Sequence, residues 1–428
     1  MKIVHIIPGS GGSFYCGNCL RDSKYYSSIK TLGHDVLKIP MYLPLFSHDK
    51  DNDHVPVFYG AVNLYLKQTY PLFKKAPKWF DNMLNTTPVL KQAAKMAGST
   101  RAKGLEDMTI SMLLGEHGKQ ADELEKMVHW LEKNYKPDVI HLSNALLLGL
   151  AGRLNSRLGV PVVCSLQDED VWVDIMSETS REAVWKLMSE KARDIAAFVS
   201  VSHYFTRFMK EKMNLEDKKV HTLHLGVDPD DYKYINSGGK ARSIGFLSRM
   251  CEANGLDILV DAFILLKSDA KNHDLKLYVS GGSTGDDNTF IRQQKQKIAD
   301  AGVDKDVIFL ENFDNEHRHI FFERVSVLSV PVRNGEAFGI YLTEAMASGI
   351  PAVQPSLGAF PEIIEPGGGG LLCGENTPLK LAAALEKVLG NKKVLEEMSR
   401  KAREGVEEKF NINTQSAKLV GIYREVRE

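Results

Sequence analysis

The sequence predicts an α/β protein of two Rossmann-like domains, each built on a parallel sheet. Short apolar runs rich in β-branched residues alternate with segments of helical periodicity, a pattern typical of βαβ units. The alternation stops at a Gly-, Asp- and Asn-rich stretch, residues 224–240, and then resumes, which indicates a linker. The chain has 428 residues, more than one small core normally organises, so two domains are expected.

The elements follow in order from the amino terminus. The first domain opens with the strand pattern KIVHIIP, the glycine-rich GSGGS, a helical segment and the strand pattern GHDVLKIP. The later strand patterns of the first domain are PDVIHLS, VPVVCSL and AAFVSVS, and those of the second are KARSIGFLSR, DLKLYVSGG, DVIFLEN, SVLSVPV and IPAVQPS. We therefore expect a first domain at 1–238, a second at 239–408 and a C-terminal helix at 409–428.

Residues 43–120 interrupt the first domain with amphipathic helical patterns and little strand signal. Within them, LYLKQTYPLFKKAPKWF interleaves four lysines with five aromatic residues. One interpretation is a helical lid that packs through its aromatic residues. The other is an interfacial segment that contacts a membrane peripherally and reaches a lipid-linked substrate.

Composition excludes several classes of protein. A net charge of −1 provides no electrostatic reason for nucleic acid as a partner. No run approaches the roughly 20 apolar residues of a membrane span, and the start MKIVHIIPGS lacks the pattern of a signal peptide. Five cysteines are few and odd in number, which argues against a disulfide framework and favours the cytoplasm.

The stretch EAFGIYLTEAMASGIP, residues 336–351, predicts a loop followed by a helix that begins near Phe338. A helix start presents unpaired backbone N–H groups and is a natural diphosphate site. Glu336 lies before the helix and Glu344 lies within its apolar pattern, where an unpaired carboxylate is costly. A nucleotide-sugar across the helix start would offer hydroxyl groups to both acids, so we expect Glu344 to meet a ligand, not a partner within the chain.

This segment resembles the signature E-G-F-G-x-x-x-x-E-A-M-A-x-G-x-P-V-V of the retaining, nucleotide-sugar-dependent glycosyltransferases with the GT-B fold, the family 4-like group. Ala337 replaces the first Gly of that signature. The likeness covers nearly the whole chain, including GSGGS, SVSHYFTRFM with HLGVDPDDY, PSLGAFPEII and FNINTQSAKLVGIYREV, although residues 43–120 are not explained by it. It implies two Rossmann-like domains facing a central cleft and a C-terminal helix that crosses back to the first domain.

The resemblance implies a UDP- or GDP-sugar donor bound mainly by the second domain. Glu336 would contact the sugar hydroxyls, and Glu344 the ribose. The backbone N–H groups of Phe338, Gly339 and Ile340 would hold the diphosphate or sugar, and Gly12 would let the first domain's backbone approach the same phosphates. The base would stack near LENF, which includes Asn312 and Phe313.

The family also carries an Arg and a Lys that neutralise the leaving diphosphate, in a G-R-L-x-x-x-K-G pattern. Here the segment is LSRMCEANG, in which Arg249 matches the Arg while Asn254 stands where the Lys belongs. Removing one stabilising donor can cost on the order of a hundredfold in rate. The departure leaves three outcomes: a substitute cation, a slow enzyme, or a nucleotide-sugar binder that has lost transfer.

On the acceptor side, the resemblance points to His141, Gln167 and Asp168. Gln167 stands where the family often has a His, and His141 ends the PDVIH strand pattern. Retaining transfer in this fold is usually explained without a protein nucleophile, because the leaving phosphate takes the acceptor's proton. His141 or Gln167 would then orient the sugar and an acceptor that is lipid-linked or a saccharide, although a His after a strand is as often a packing residue.

Three other motifs carry less weight, and no metal site or obligatory cofactor is expected. CGNC, residues 16–19, lacks a second pair of zinc ligands. DED, residues 168–170, is better explained by capping of the next helix than by a cation. GSGGS departs from G-x-G-x-x-G at Phe14, which disfavours nicotinamide.

One further alternative keeps the fold and changes the reaction. A nucleotide-sugar epimerase would need acids and bases in the first domain, which Asp168, Glu169 and His141 could supply.

Overall fold

The computed structural model describes residues 1–8, 17–41, 58 and 105–428. These residues form two compact units. Unit 1 comprises the first strand, the described residues from Asn18 to Leu223, and Ser416–Glu428. Unit 2 comprises His224–Gln415 and, of the described residues before it, Gly17.

Unit 1 is built on a six-stranded parallel sheet with the order β2-β1-β3-β4-β5-β6. Its strands are β1 (Lys2–Ile7), β2 (Asp35–Pro40), β3 (Val139–Leu142), β4 (Val162–Leu166), β5 (Ala197–Ser200) and β6 (Val220–Thr222). Every residue of β3, β4 and β5 is buried. A parallel sheet that is covered on both faces requires strands with continuous apolar runs, and such runs can be recognised in the sequence.

Unit 2 repeats this plan with a parallel sheet of order β12-β11-β10-β7-β8-β9. Its strands are β7 (Ser243–Leu247), β8 (Lys276–Ser280), β9 (Val307–Phe309), β10 (Val327–Leu328), β11 (Ala352–Gln354) and β12 (Gly370–Leu372). The predicted α/β fold of two parallel sheets is confirmed.

Helices connect the strands in both units. In unit 1 they are α1 (Gly17–Thr31), α2 (Glu106–Leu113), α3 (Ala121–Asn134), α4 (Ala151–Leu158), α5 (Glu169–Val173), α6 (Glu178–Lys191) and α7 (His203–Met213). In unit 2 they are α8 (Leu256–Lys267), α9 (Asn288–Asp300), α10 (Asn315–Arg324), α11 (Ile340–Ala347), α12 (Phe360–Gly367), α13 (Pro378–Leu389) and α14 (Lys392–Lys409). The last helix, α15 (Ile412–Glu425), belongs to unit 2 up to Gln415 and to unit 1 from Ser416 onward.

The division between the units falls between Leu223 and His224, ahead of the predicted boundary near residue 238. The predicted linker packs within unit 2, because Val227 pairs with Asn411 and the Arg403 guanidinium donates to the carbonyl oxygens of Pro229 and Tyr232 at 2.8 and 3.0 Å.

Some predictions fall on residues that the structure does not describe. Of the predicted insert, residues 105–120 and 58 are described, and they contain α2 and a 3-10 turn at Gly115–His117. The lysine- and aromatic-rich segment, Gly12 and Cys16 lie outside the described residues. Within the described part of the chain, no helix is both long enough and apolar enough to cross a membrane.

Candidate functional site

The candidate site begins where two adjacent strands of unit 2, β7 and β10, end at the same edge of the sheet. Chain order reverses between these strands, since β8 and β9 lie on one side of β7 while β11 and β12 lie beyond β10. A crevice at the carboxyl ends of parallel strands, at such a reversal, is where ligands bind in this class of fold. The loop after β7 carries Arg249 and Asn254, and the loop after β10 carries Glu336.

The two loops pack directly against each other. Gly255 has a φ of +73°, and a Cβ at this position would lie 1.9 Å from the carbonyl oxygen of Pro331. Only glycine accepts both the left-handed backbone and this approach. Arg333 adds a second fastening, because its backbone N–H donates to the Ala253 carbonyl at 3.0 Å and its Nε to the Glu252 carbonyl at 3.1 Å.

Arg249 is held by an acidic partner from the next connection. Its Nε and Nη2 donate to the two carboxylate oxygens of Asp287 at 2.8 and 2.9 Å, and Nη2 also donates to Thr284 Oγ1 at 2.8 Å. Burial alone would raise the pKa of Asp287, but hydrogen bonds from Arg249 and Thr284 outweigh it and leave that pKa below its ordinary value. The Arg249 side chain keeps 35 % exposure, so the guanidinium is oriented without being enclosed.

Asn254 fastens the loop that carries Arg249. Its Nδ2 donates to Ser248 Oγ at 2.9 Å and to the Arg249 carbonyl at 3.0 Å. A lysine would instead place its donor nitrogen at the end of a four-carbon chain, farther from the backbone than the amide nitrogen of Asn254. Asn254, which replaces the lysine of the family pattern, thus has a structural role in this loop.

Glu336 is fixed by its backbone and by one side chain. The Ala359 N–H donates to its carbonyl at 3.0 Å, and Tyr341 Oη donates to its Oε2 at 3.1 Å. Gly358, with a φ of +58°, permits this contact, since a Cβ there would lie 2.3 Å from the Glu336 nitrogen. The carboxylate is therefore oriented and half-buried at the start of α11.

The start of α11 is a tight turn at Gly339, whose φ is +88°. Ala337, Phe338, Gly339 and Ile340 are all buried, so the turn is rigidly packed. The Phe338 ring lies 5.9 Å from the His224 ring and 6.0 Å from the Phe410 ring. The rings of His224, Phe338 and Phe410 therefore pack together just before the helix, where its first N–H groups lie.

Glu344 lies in α11 at 2 % exposure and has partners within the chain. Tyr232 Oη donates to its Oε1 at 2.5 Å, and Arg318 Nε lies 3.6 Å from the same oxygen. The expectation that only a ligand would meet this carboxylate is therefore wrong. A phenol and a guanidinium that lie far from it in sequence offset the cost of burying the charge.

The predicted base loop is tied to the same network. Arg318 Nη1 donates to the Phe313 carbonyl at 3.4 Å, and Asn312 Nδ2 lies 3.3 Å from His317 Nε2. Asn312 is exposed and Phe313 is half-buried. One buried arginine thus contacts both the predicted base loop and the predicted ribose carboxylate.

In unit 1, His141 of β3 lies beside His5 of β1, its partner in the strand register. His141 Nδ1 contacts Tyr423 Oη at 2.5 Å and His141 Nε2 contacts Ser165 Oγ at 2.8 Å, while His5 Nε2 contacts the same tyrosine oxygen at 3.1 Å. Burial, then the other histidine and Arg21, hold the pKa of His141 well below its ordinary value. Both ring nitrogens are thus bonded within the chain, which supports the packing interpretation of His141 over a role in orienting a substrate.

Gln167 and its neighbours follow β4. Glu169 is 1 % exposed and accepts from the backbone N–H groups of Ala145 at 2.8 Å and Gln167 at 2.7 Å, so it joins the loops after β3 and β4. Asp168 precedes α5 with a φ of +55°, and its side chain makes no capping hydrogen bond, contrary to the expected role of the DED run. Of the three residues that an epimerase could use as acids and bases, Glu169 and His141 thus make hydrogen bonds within the chain.

Sequence reasoning missed Tyr232, Asp287, Arg318 and Tyr341 as parts of the site. Tyr232 lies in the quoted HLGVDPDDY segment, but no local pattern indicates that its hydroxyl reaches Glu344, 112 residues away. Tyr341 is the one residue with a local signal, because it lies five positions after Glu336 across a helix start.

Two protein-family models match the chain. The model for glycosyl transferases group 1 matches residues 230–405, and the model for a glycosyl transferase 4-like domain matches residues 107–226.

The chain is also similar to curated proteins. It is 24 % identical to an uncharacterised glycosyltransferase of Methanocaldococcus jannaschii, over 71 % of this chain and 79 % of that protein. It is 26 % identical to a D-inositol 3-phosphate glycosyltransferase of Acidothermus cellulolyticus, over 59 % of each chain. It is 30 % identical to a lipopolysaccharide core biosynthesis mannosyltransferase of Rhizobium meliloti, over 39 % of this chain and 42 % of that protein. The chain thus spans about half the length of the last two relatives.

Solved structures share the fold. The Anabaena protein HepE in complex with UDP superposes with a TM-score of 0.68 at 16 % identity, covering 99 % of this chain and 100 % of HepE. Sucrose-phosphate synthase from Thermosynechococcus elongatus superposes with a TM-score of 0.69 at 15 % identity, covering 100 % and 99 % of the two chains. These likenesses show that the chain has the GT-B fold. The two family matches, over residues 107–226 and 230–405, show that it belongs to the GT4-like family of glycosyltransferases.

Proposed function

We propose that this protein is a retaining glycosyltransferase that moves a sugar from a UDP- or GDP-sugar to a hydroxyl group of an acceptor, which is lipid-linked or a saccharide. The observation that carries the proposal is that Arg249 and Glu336 lie on adjacent loops, which pack against each other at the strand reversal of unit 2. A cation and a carboxylate beside a helix start match the two ends of the group transferred, a departing diphosphate and a hydroxyl-rich sugar.

Each residue has a role in this proposal. Arg249, kept in place by Asp287, stabilises the charge that develops on the leaving diphosphate. The N–H groups at the start of α11 bind the same diphosphate or the sugar, and Glu336 accepts hydrogen bonds from the sugar hydroxyls. Glu344 binds the ribose and Asn312 with Phe313 borders the base. The leaving phosphate takes the acceptor's proton, so no protein nucleophile is needed.

The comparisons support the choice of donor. HepE has been solved with UDP and with UDP-glucose, and the Staphylococcus aureus protein TarM with UDP and α-GlcNAc-glycerol. The three described free cysteines, Cys164, Cys251 and Cys373, suit the cytoplasm, where nucleotide-sugars would be met as donors.

The test is a donor panel of UDP-glucose, UDP-N-acetylglucosamine and GDP-mannose. We expect calorimetric binding of at least one donor and slow release of its nucleotide, because water can replace the acceptor. Replacing Glu336 by Gln should lower nucleotide release at least tenfold, whereas Glu408→Gln, at an exposed position of α14, should leave it unchanged. With an acceptor present, the anomeric coupling of the product distinguishes retention from inversion.

A second candidate function is a nucleotide-sugar binder without transferase activity, and Asn254 favours it. The variant Asn254→Lys separates the two. New turnover in Asn254→Lys, with none in the natural chain, supports the binder. Loss of existing turnover supports the enzyme, because the amide that fastens Ser248 and Arg249 would be gone.

A further inference from the structure

The dipeptide Asn-Gly occurs twice in the sequence, once in each of the two loops that form the candidate site. Asn254 and Gly255 lie in the loop after β7, and Asn334 and Gly335 lie in the loop after β10, directly before Glu336. Asparagine is one of the chemically labile residues. It reacts most readily before glycine, because glycine has no Cβ to shield the backbone nitrogen that attacks the side-chain amide. The structure decides whether each pair can react.

The pair Asn254–Gly255 is held on both sides of the reaction. The Asn254 amide donates to Ser248 Oγ and to the Arg249 carbonyl, which fixes its rotation. The Gly255 N–H donates to the Glu252 carbonyl at 2.9 Å, and Gly255 is buried. The side-chain carbonyl carbon is thus kept away from the next backbone nitrogen, and that nitrogen is occupied. We therefore expect this pair to be protected.

The pair Asn334–Gly335 has none of these restraints. Asn334 is exposed and Gly335 is half-buried. Within the part of the chain that the structure describes, no hydrogen bond engages the Asn334 side chain or the Gly335 N–H. Gly335 also has a φ of +88°, a left-handed conformation that favours glycine. The fold therefore requires the residue that makes this pair reactive and leaves both reacting groups open to water.

The reaction that these groups support needs only water as a co-reactant. The Gly335 nitrogen attacks the side-chain carbonyl carbon Cγ of Asn334. A bond from nitrogen to Cγ forms, the bond from Cγ to Nδ2 breaks, and ammonia leaves with the proton of the attacking N–H. Water then opens the five-membered imide at either of its carbonyl groups. The product is aspartate, or isoaspartate, in which the backbone runs through the former side chain.

Isoaspartate would lengthen the backbone by one methylene group in a segment that is anchored at both ends. Before the pair, the Arg333 N–H donates at 3.0 Å to a carbonyl of the loop after β7. After it, the Glu336 carbonyl accepts from the Ala359 N–H at 3.0 Å. A Cβ at Gly358 would lie 3.0 Å from the Gly335 Cα, so little room is left between these anchors. The extra atom should displace Glu336, and the new carboxylate would repel a diphosphate.

We propose that Asn334–Gly335 is a site of spontaneous deamidation and isomerisation, and that the fold protects the identical pair Asn254–Gly255. The modification is independent of the proposed function. Its effect on Glu336 rests on that function, because it limits the lifetime of the donor site as the protein ages.

Incubation of the folded full chain at mildly alkaline pH tests the modification. Peptides that cover the two pairs are analysed by mass spectrometry, and fragmentation distinguishes isoaspartate from aspartate. We expect both products to form at position 334 at least tenfold faster than at position 254. At mildly acidic pH both rates should fall, because the attacking nitrogen must lose its proton.

The same incubation in urea, which unfolds the chain, is the matched control for sequence. There the two rates should come within threefold of each other, because only the fold separates the two pairs. Three results would overturn the proposal: no product at position 334 in the folded chain, equal rates at both positions in the folded chain, or a tenfold difference that persists in urea.

The effect on the donor site is measured with Asn334→Ser, which removes the reacting amide. We expect the natural chain to lose nucleotide release in proportion to its isoaspartate content, whereas Asn334→Ser should retain its starting rate. Asn413→Ser, at an exposed position of α15, should lose activity as fast as the natural chain. Asn334→Asp, which adds the charge without the methylene group, should lose less activity than fully isomerised chain.

The outcomes separate this inference from the proposed function. If no donor is bound or turned over, the proposed function fails, and the peptides still decide whether position 334 is modified. If nucleotide release declines equally fast in Asn334→Ser and in the natural chain, the proposed function stands and the link between the modification and Glu336 is refuted.

Discussion

Both units carry polar residues near the carboxyl ends of their strands, but they hold them in opposite ways. In unit 1, His5, His141 and Tyr423 bond one another in the interior, and burial, followed by the charges of Arg21 and Lys38, lowers the pKa of His5 to about 3. In unit 2, Arg249 and Glu336 are oriented by neighbours yet stay partly exposed. Both edges follow from the same topology, so the topology alone does not separate a packing cluster from a binding site.

The difference between the units provides a criterion that separates a packing cluster from a binding site. A polar residue near the carboxyl end of a strand has a structural role when its hydrogen-bonding atoms are used within the chain, as both nitrogens of His141 are. It is a candidate for ligand binding when its partners orient it without enclosing it, as Asp287 does for Arg249. Mutations should therefore affect different quantities: catalysis at Arg249 and Glu336 in unit 2, and stability at the cluster of His5, His141 and Tyr423 in unit 1.

The largest effect is expected from Arg249→Gln. The loss of the charge that stabilises the leaving diphosphate should lower the rate of nucleotide release roughly a hundredfold or more. Steady-state kinetics with the best donor of the panel measures it. The matched control is Arg400→Gln, which removes an arginine paired with Glu404 on the exposed side of α14 and should change the rate less than twofold. If Arg249→Gln lowered the rate of nucleotide release by less than threefold, the result would contradict the role assigned to this guanidinium.

The second-largest effect is expected on stability, from Tyr423→Phe in unit 1. Removing the hydroxyl leaves His5 and His141 each without one buried partner, which should lower the free energy of unfolding by about 1–3 kcal/mol. Urea denaturation measures it. At temperatures well below the unfolding transition, nucleotide release should stay within twofold of the natural chain. A large loss of activity without a loss of stability would show that the cluster of His5, His141 and Tyr423 is not purely structural.

A smaller effect on donor binding is expected from Tyr232→Phe. Glu344 would lose a hydrogen bond from a phenol and orient less well, so KM for the donor should rise roughly tenfold while kcat changes less. The control Tyr234→Phe lies two positions away at 41 % exposure, and its hydroxyl contacts Asn236 instead. Equal kinetics for both variants would remove Tyr232 from the site.

The smallest expected effect is a pH dependence of the stability that His5 contributes in unit 1. The pKa of His5 is about 3 in the folded chain, below its ordinary value of 6.5, so below pH 6.5 the unfolded chain binds a proton that the folded chain does not. This contribution to stability is complete at neutral pH and falls as the pH drops. The stability difference between the natural chain and His5→Asn should therefore narrow by about 1 kcal/mol between pH 7 and 5.5. A constant difference, measured by urea denaturation at each pH, would show that His5 does not stay neutral in the folded chain.

Much of the fold and part of the site could be predicted from the sequence. The strands appeared because parallel strands covered on both faces must be continuous apolar runs, as in KIVHII and VVCSL. The turn at Gly339 and the helix after it could be predicted because glycine and helical periodicity are local signals. Arg249 and Glu336 were recognised because LSRMCEANG and EAFGIYLTEAMASGIP resemble two motifs of the family.

The partners of those residues could not be predicted in the same way. Asp287 lies 38 residues from Arg249, Tyr232 lies 112 residues from Glu344, and Tyr423 lies 282 residues from His141. No periodicity or short motif connects such pairs, since strand order and helix packing bring them together. The interpretation of Glu344 was wrong for this reason. The sequence also left two roles open for His141, packing or orienting a substrate, and the hydrogen bonds of both its nitrogens support packing.

The sequence by itself determined the two parallel sheets, the loops that end their strands and the types of side chain on those loops, because apolar periodicity and turn residues act over a few positions. Only the tertiary structure decided which of these side chains are bonded within the chain and which are oriented yet partly exposed. His141 and Arg249 illustrate the point, since the partners that occupy the one and orient the other lie far from them in sequence and are brought close by strand order and helix packing.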